Sequence, residues 1–195
     1  MSMRSIFLIS LMILVCPCFS TIILVQEDFG GEEFPPPGWI INNGPNCSWY
    51  NGGGFARGRV ALPTGYSSGS GNFLSPEFTL CEGDTCLVYF LGRRFWDPYA
   101  PPSPSGGGWK ISLRLDNVDI WEMYLSSSSS WVPTSVEIPI TLSAPTYRFC
   151  WRLFGILEDY ISARSIYFDI DDVLIRLTAT GVEPASLGKI KAACR

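Results

Sequence analysis

The feature that most restricts the fold of this chain is the alternation of apolar and polar residues along short segments separated by turn formers. The segment from Tyr147 to Leu153, for example, carries an aromatic or leucine side chain at every second position. A period of two is that of a β-strand with one buried face, and no long stretch of the chain shows the 3.6-residue period of a helix. The pattern predicts an all-β protein.

Gly, Pro, Asn and Ser separate the alternating segments, and many short strands with such turns are typical of a two-sheet β-sandwich of the jelly-roll kind. Asp116 and Asn117 lie between two predicted strands and favour a tight hairpin, because both residue types tolerate positive φ. The predicted strands are 22–25, 38–41, 57–62, 73–80, 86–91, 109–115, 118–124, 135–140, 147–154 and 166–178.

The two ends of the chain differ in composition from the rest. Residues 1–20 carry Arg4 ahead of an apolar run and end on a small residue, which is typical of a secretory signal peptide. The apolar run is shorter than the roughly 20 residues of a membrane span, so we expect no transmembrane segment once the signal is removed. An uncleaved anchor and a lipoprotein signal at Cys16 are the alternatives. We expect one domain over residues 21–180, followed by a linker or sorting tail over residues 181–195, for which a frayed terminus is the alternative.

Seven cysteines are present, and the predicted signal contains two of them. Export favours disulfides, and five remaining cysteines leave one thiol unpaired. The short spacing of Cys81 and Cys86 makes this pair our first expectation, and Cys47 with Cys150 is the second. Cys194 would then be left over, although sequence alone leaves the connectivity open.

The formal net charge is −4, and no basic residues cluster in the sequence. Nucleic acids and anionic membranes attract proteins through concentrated positive charge. The sequence therefore indicates neither kind of partner.

Histidine is absent from the sequence, so a Ser-His-Asp or Cys-His catalytic arrangement is excluded. A glycosidase needs only two carboxylates about 5 to 9.5 Å apart. Glu122 with Glu137, or Glu158 with Asp159, are the candidate pairs for this alternative, and nothing in their spacing distinguishes them from ordinary solvated acids.

The longest predicted loop, residues 97–108, is preceded by a group of basic and aromatic residues at positions 93–96. Long loops within compact domains are often functional. Arg94, Trp96, Tyr99 and Trp109 are therefore candidate ligand-binding residues, with Trp121 and Trp131 as further aromatic candidates. Alternatively, the aromatic residues at the start of the loop cover the end of the sandwich.

Five segments, taken in order, resemble the extracellular MAM domain and its bacterial relatives, the cleaved-adhesin and choice-of-anchor-J domains. An acidic-Phe element is followed by a Phe-Pro-Pro-Gly-Trp-like turn, a Leu-Ser-Pro strand start, an apolar strand and a closing Asp-Asp-Val signature. These segments are Glu27–Gly31, Phe34–Trp39, Phe73–Phe78, Cys86–Phe90 and Ile170–Val173.

The resemblance covers residues 27–177, and the proline-rich turn makes it closer to the bacterial branch. It implies a jelly-roll sandwich in which the first and last strands are neighbours. Between residues 42 and 49 the chain has no carboxylate, so the second cation site sometimes expected in that loop of the bacterial relatives is not expected here.

The strand from Ile166 to Leu177 places acidic residues within an otherwise apolar run. Ionised carboxylates in apolar surroundings need a cation or hydrogen-bond donors. In the implied fold, Glu27 and Asp28 approach Asp171 and Asp172, and four carboxylates without histidine favour a structural Ca2+. Adjacent strand residues point to opposite faces, so both aspartates reach the ion only if the strand bulges. Pairing with arginine is the alternative.

Taken together, the resemblance and the composition imply a secreted or cell-surface, non-catalytic adhesion or binding module for extracellular carbohydrate or protein. A jelly-roll carbohydrate-active enzyme and a purely structural spacer are the alternatives. Two carboxylates that face each other across an aromatic groove would favour the enzyme, whereas an aromatic patch without such a pair would favour the binding module.

Overall fold

The structure is a computed structural model that describes residues 21–63, 65, 67–96, 109–124, 128–140, 144–157 and 164–178. The predicted signal and tail lie outside these ranges and stay predictions. Within the ranges, all regular secondary structure is β-strand. No helix there is long and apolar enough to cross a membrane. The all-β prediction is confirmed.

Thirteen strands follow one another along the described chain. They are β1 (Thr21–Glu27), β2 (Ile40–Asn42), β3 (Cys47–Asn51), β4 (Ala56–Leu62), β5 (Ser67–Leu74), β6 (Phe78–Leu80), β7 (Thr85–Trp96), β8 (Trp109–Leu115), β9 (Val118–Tyr124), β10 (Ser128–Pro139), β11 (Ala144–Tyr147), β12 (Phe149–Leu157) and β13 (Arg164–Thr178).

The strands form two main antiparallel sheets, as expected for a sandwich. The six-stranded sheet has the order β10-β7-β13-β4-β3, and β1 pairs with β13 in addition. The five-stranded sheet has the order β2-β5-β12-β8-β9, and β6 and β11 form a small separate ribbon. The long strand β13 has β7 along one side, while β4 pairs with its first half and β1 with its second half.

The core lies between the two main sheets, and strand alternation determines which residues enter it. In β12, Phe149, Trp151 and Leu153 are fully buried, whereas Cys150 and Arg152 are partly exposed on the other face. The predicted hairpin is also present, because β8 pairs with β9 and both Asp116 and Asn117 have positive φ.

An aromatic cluster fills one part of the core and contains the residues on which the family resemblance rests. Phe73 stacks on Trp39 at 4.7 Å and on Trp49 at 5.3 Å between ring centroids. Phe29 meets Trp39 edge-on at 5.2 Å, and Trp39 reaches Trp151 at 5.8 Å. The acidic-Phe element and the proline-rich turn therefore serve to bring large rings under the sheets.

The Leu-Ser-Pro element joins the turn to the five-stranded sheet. The buried hydroxyl of Ser75 accepts a hydrogen bond from the Phe149 amide at 3.0 Å, and the Ser75 amide donates to the Phe149 carbonyl at 2.9 Å. Gly38 has φ +84°, and a Cβ there would lie 3.2 Å from Pro76. A side chain at position 38 would thus disturb both the turn and this contact.

Several predicted strands have other bounds in the structure, 147–154 is divided between β11 and β12, and β3 was not predicted. The clearest difference is at the predicted strand 73–80. The segment 73–80 is interrupted after Leu74, and β5 begins at Ser67 in a Ser- and Gly-rich stretch that shows no apolar alternation. A Cβ at Gly71 would lie 2.7 Å from Sγ of Cys47 in the opposite sheet. The sheets approach so closely here that glycine replaces the expected apolar side chains.

Both predicted disulfides are wrong. Cys81 is disulfide-bonded, but Cys86 is a free thiol with no exposed surface, because its position in β7 turns it into the core. Cys47 and Cys150 are also free. They cannot meet, because Cys47 points into the core from one sheet and Cys150 lies on the outer face of the other.

Candidate functional site

Cross-strand pairing brings two arginines to one aspartate on the outer face of the six-stranded sheet. Asp169 of β13 lies directly opposite Arg57 of β4 on one side and Arg93 of β7 on the other. Directly opposed residues on one face of an antiparallel sheet have adjacent side chains. These three strands therefore build a charged cluster from residues far apart in sequence.

The Asp169 carboxylate accepts four hydrogen bonds. Nε and Nη2 of Arg57 donate at 2.7 and 3.0 Å, and Nε and Nη2 of Arg93 donate at 2.9 and 2.6 Å. The Asp169 side chain is fully buried, whereas the arginine side chains are 22% and 24% exposed. The hydrogen bond to Asp169 is the main cause that raises the pKa of Arg57.

Aromatic rings surround the two guanidinium groups. The Arg57 guanidinium lies 5.0 Å from the Phe55 ring centre and 4.8 Å from that of Phe95. The Arg93 guanidinium lies 4.5 Å from Trp131 and 5.1 Å from Phe55. Cations within about 6 Å of a ring face are attracted by its quadrupole, so rings and cations hold one another in place.

Two further side chains extend the cluster toward β3. Arg59 lies 5.7 Å from the Tyr167 ring and donates to the Ser165 hydroxyl at 3.2 Å. Tyr50 lies opposite Arg57, and burial raises its pKa against the opposing effect of Arg57. Tyr50 therefore stays protonated and can donate its hydroxyl proton.

The loop between β3 and β4 positions Phe55. The Asn51 side chain accepts from the amides of Gly53 and Gly54 at 2.8 and 3.3 Å, and both glycines have positive φ. A Cβ at Gly52 would lie 2.0 Å from the Phe55 ring. The run Asn51–Gly54 is thus an ordered turn that places an aromatic ring against the two guanidinium groups.

We call this surface the Arg-aromatic platform. It consists of Tyr50, Phe55, Arg57, Arg59, Arg93, Phe95, Trp131, Tyr167 and Asp169. It carries three guanidinium groups and one carboxylate, so its formal charge is positive although the whole chain is negative.

The four predicted metal ligands lie where β1 ends beside β13. Glu27 is paired with Val173, and Glu27, Asp28 and Asp172 line a cleft of about 570 Å3 that we call the acidic cleft. The expected proximity of first and last strands is confirmed. The bulge is present as well, because three residue steps on β13, from Asp171 to Leu174, face two on β7.

Three of the four acids accept a backbone hydrogen bond. Glu27 accepts from the Phe29 amide at 2.8 Å, Asp28 from the Gly30 amide at 3.0 Å and Asp171 from the Asp172 amide at 2.9 Å. Burial, together with the charges of Asp172 and Asp28, raises the pKa of Asp171. The negative groups at this end of the sheet repel one another.

The acidic cleft suits a hard cation only in part. The side-chain atoms that could coordinate the ion are all oxygens, as Ca2+ prefers. The bulge also interrupts the pairing of β13 at this place. However, no three Asp, Glu, Cys or His side chains of the described ranges form a ready-made metal cluster. A bound ion would therefore take backbone carbonyls in addition to the carboxylates.

The residues that we predicted as ligand contacts fall in different places. Arg94 points inward, where its Nη1 contacts the Met123 sulfur, and Trp109 is buried against Gly155. The strand position of Trp109 directs its ring into the core and not toward the outer surface. Tyr99 lies outside the described residues, as does the side chain of Trp96. Of the further candidates, Trp131 belongs to the platform.

The candidate glycosidase pairs are not assembled by the described residues. Glu122 lies in the five-stranded sheet, 2.7 Å from Lys110, whereas Glu137 lies in the six-stranded sheet. Glu158 and Asp159 are outside the described ranges.

Sequence reasoning missed Arg57, Arg59, Phe55, Tyr167 and Asp169 as one site. Asp169 and Tyr167 lie on the same face of β13, and Arg93 and Phe95 lie on the same face of β7. These alternations were visible in the sequence, but strand order was needed to place them beside one another.

Comparisons with known proteins give loose structural likenesses only. No family model matches the chain, and no curated protein matches it.

One similar solved structure is the K3 cleaved adhesin domain of Lys-gingipain from Porphyromonas gingivalis, with 16% identity, TM-score 0.49, and coverage of 81% of this chain and 100% of that one. A carbohydrate-binding module that recognises mannan has 14% identity, TM-score 0.45, and coverage of 83% and 99%. A Stig cyclase from Fischerella sp. TAU has 18% identity, TM-score 0.46, and coverage of 83% and 100%. At these identities and TM-scores the likeness carries no functional conclusion.

Proposed function

We propose that the protein is an exported, non-catalytic carbohydrate-binding module and that the Arg-aromatic platform is its ligand-contact surface. The observation that carries the proposal is the ordered array of rings and guanidinium groups on the outer face of a sheet. Tyr50 is 37% exposed, and Arg57 and Arg93 are each about one quarter exposed. Ion pairs with Asp169 hold the two guanidinium groups on the outer face of the sheet, and the packing of the core does not require these ion pairs.

The chemistry of the platform suits binding rather than catalysis. The carboxylate of Asp169 is saturated by four donors, so it is not free to act as a base or nucleophile. Aromatic side chains pack against the C-H faces of sugars, and guanidinium N-H groups donate to their oxygens. Because both kinds of group are already positioned, little side-chain freedom is lost on binding.

Affinity electrophoresis or calorimetry with a panel of polysaccharides tests this function. Phe55→Ala and Trp131→Ala should each weaken binding by roughly tenfold, because aromatic contacts are worth about 1 to 2 kcal/mol. Phe154→Ala is the matched control, since Phe154 contacts a single arginine on the other sheet. If the platform variants bind as the wild type does, the platform is not the ligand surface.

We also propose that Ca2+ binds at the acidic cleft and joins β1 to β13. Mutual repulsion among Asp28, Asp171 and Asp172, which contributes to the raised pKa of Asp171, would be relieved by a cation. Glu27 and Asp28 line the cleft, and Asp171 lies next to the lining residue Asp172. Each of Glu27, Asp28 and Asp171 uses one carboxylate oxygen in a backbone hydrogen bond, and the second oxygen of each remains for the ion. A bound Ca2+ would supply structural cross-linking and no chemistry.

Thermal unfolding tests the calcium proposal. An ion that binds only the folded state stabilises it by RT ln(1 + [L]/Kd), which is about 2.7 kcal/mol at a concentration 100 times Kd. Excess EGTA should therefore lower Tm, and Asp171→Asn should raise Tm in EGTA and remove most of the response to Ca2+. An identical Tm for the wild type in Ca2+ and EGTA contradicts the proposal.

A further inference from the structure

We infer that the ligand of the platform is an acidic polysaccharide whose sugar carboxylates bind the guanidinium groups. This inference rests on the proposed carbohydrate-binding function and specifies the class of sugar. It is carried by the excess of cation over anion on the platform, together with guanidinium atoms that do not contact Asp169.

The charge balance of the platform is unequal. Arg57 and Arg93 share the single carboxylate of Asp169, and Arg59 has the Ser165 hydroxyl and the Tyr167 ring as partners instead of an acid. Two positive charges are therefore not neutralised by an acid within the platform. A partly exposed surface with this imbalance attracts anions.

The geometry of the two central arginines leaves donors for a ligand. Each uses Nε and Nη2 for Asp169, so Nη1 of each makes no bond to that carboxylate. Arg57 also has a side-chain hydrogen bond to Tyr50, so Arg93 has the freer donors of the two. A guanidinium has five N-H groups in a plane and binds carboxylates in a fixed geometry. Asp169 holds both planes in position, which lowers the entropic cost of binding a further carboxylate.

The rings favour an acidic sugar over a simple anion. Guanidinium groups and aromatic rings alternate across the sheet. Around Phe55 and Arg93, each guanidinium carbon lies 4.5 to 5.1 Å from the centre of the neighbouring ring. A uronic acid residue presents one carboxylate and one apolar C-H face. A chain of such residues therefore matches both components of the platform.

An acidic peptide matches the platform less well. Extended peptides bind sheets by adding a strand to an unpaired edge. The centre of the platform lies on the face of the sheet, where β13 is paired with β4 on one side and β7 on the other. Backbone groups that would recognise a peptide main chain are already used at this centre, and of the platform's strands only the outer strands β3 and β10 lie at the edges of the sheet.

A nucleic acid is also a poorer match. Its affinity depends on neutralising many phosphates, whereas this protein has net charge −4 and three arginines in the platform.

The decisive experiment compares two forms of one polymer on the mature protein, with EGTA present so that calcium cannot cross-link the ligand. Polygalacturonate and its fully methyl-esterified form share a backbone and differ in charge. We expect the ester to bind at least tenfold more weakly, and we expect binding of polygalacturonate to weaken as NaCl rises from 50 to 500 mM. Equal affinity for the two forms overturns the inference.

Substitutions locate the interaction. Arg93→Gln and Arg59→Gln should each weaken binding of polygalacturonate roughly tenfold, as expected for the loss of one charge-assisted contact. Arg59→Gln leaves the bonds to Asp169 intact, so the test does not depend on a variant that disturbs that cluster. Arg152→Gln, on the outer face of the other sheet beside Phe154, is the matched control and should bind normally.

The outcomes separate this inference from the proposed function. If Phe55→Ala weakens binding of both polymer forms equally and the arginine variants have no effect, the platform binds neutral sugar and the acidic class is wrong. If no platform variant alters binding of any polysaccharide, both proposals fail. Tighter binding of poly-L-glutamate or a single-stranded oligonucleotide than of polygalacturonate, lost in Arg59→Gln, also overturns the acidic-sugar class.

Discussion

Replacing Asp169 with asparagine tests how the platform is held together. The substitution keeps the size of the side chain and removes its charge. The carboxylate has no exposed surface and accepts four charge-assisted bonds from Arg57 and Arg93. An asparagine offers one acceptor oxygen, and its NH2 group faces guanidinium donors.

The expected cost follows from the number of bonds lost. If two of the four bonds are lost at about 1.5 kcal/mol each, the free energy of unfolding falls by about 3 kcal/mol. That is the lower end of the roughly 3 to 5 kcal/mol for breaking a buried ion pair, because the arginines, 22% and 24% exposed, regain water. For a chain of 195 residues, this corresponds to a fall in Tm of about 6 to 12 °C.

Urea unfolding followed by tryptophan fluorescence measures this loss as a lower midpoint with an unchanged m-value. Asp119→Asn is the matched control, since Asp119 also lies between two cations, 2.9 Å from Arg114 and 3.7 Å from Lys110. Its side chain is 35% exposed, so we expect a loss below about 1 kcal/mol. If Asp169→Asn costs no more than the control, Asp169 does not organise the platform.

Two further predictions concern the loop and the thiols. Gly52→Ala should weaken ligand binding, because the added methyl would lie 2.0 Å from the Phe55 ring and displace it; calorimetry with a bound polysaccharide measures the loss, and unchanged affinity contradicts this role of the loop. Cys47 and Cys86 should resist alkylation at pH 8 in the native state, since burial raises the pKa of each thiol to about 12. Mass spectrometry should detect both as modified only after denaturation without reductant, and a disulfide at either one refutes the assignment.

The fold was predictable because it depends on local alternation. Strands β8 and β9 have the predicted bounds, and Asp116 and Asn117 form the predicted hairpin. Most of strand β5 was not predicted. The two sheets approach closely at Gly71, so glycine stands where an apolar side chain would have given the alternating pattern. The cysteine pairs failed for a related reason, because spacing says nothing about which face of a strand carries each thiol.

The candidate site was only partly predictable, because it is built from cross-strand neighbours. The expectation that buried carboxylates need cations is correct for Asp169, but its partners are arginines on β4 and β7. Nothing in the sequence showed that Arg57 and Arg93 flank the same residue. The absence of a basic cluster in the sequence did not preclude one on the folded surface.

The bulge at Asp171 and Asp172 keeps the apolar side chains of β13 directed into the core both before and after it. Before the bulge, Phe168 and Ile170 face the core, and after it Val173 and Ile175 do so. Side chains alternate with a period of two, so deletion of Asp172 alone removes the extra residue and leaves both pairs inward, whereas deletion of Asp171 and Asp172 together would turn one of these pairs outward. We expect the double deletion to cost at least about 3 kcal/mol, because two apolar side chains lose burial worth about 1.5 to 3 kcal/mol each. Asp172→Gly keeps the residue count and suits the φ of +48°, so it should change stability by less than about 1 kcal/mol. A urea midpoint for the double deletion no lower than that of the glycine variant would show that the residue count at the bulge does not set the phase of the strand.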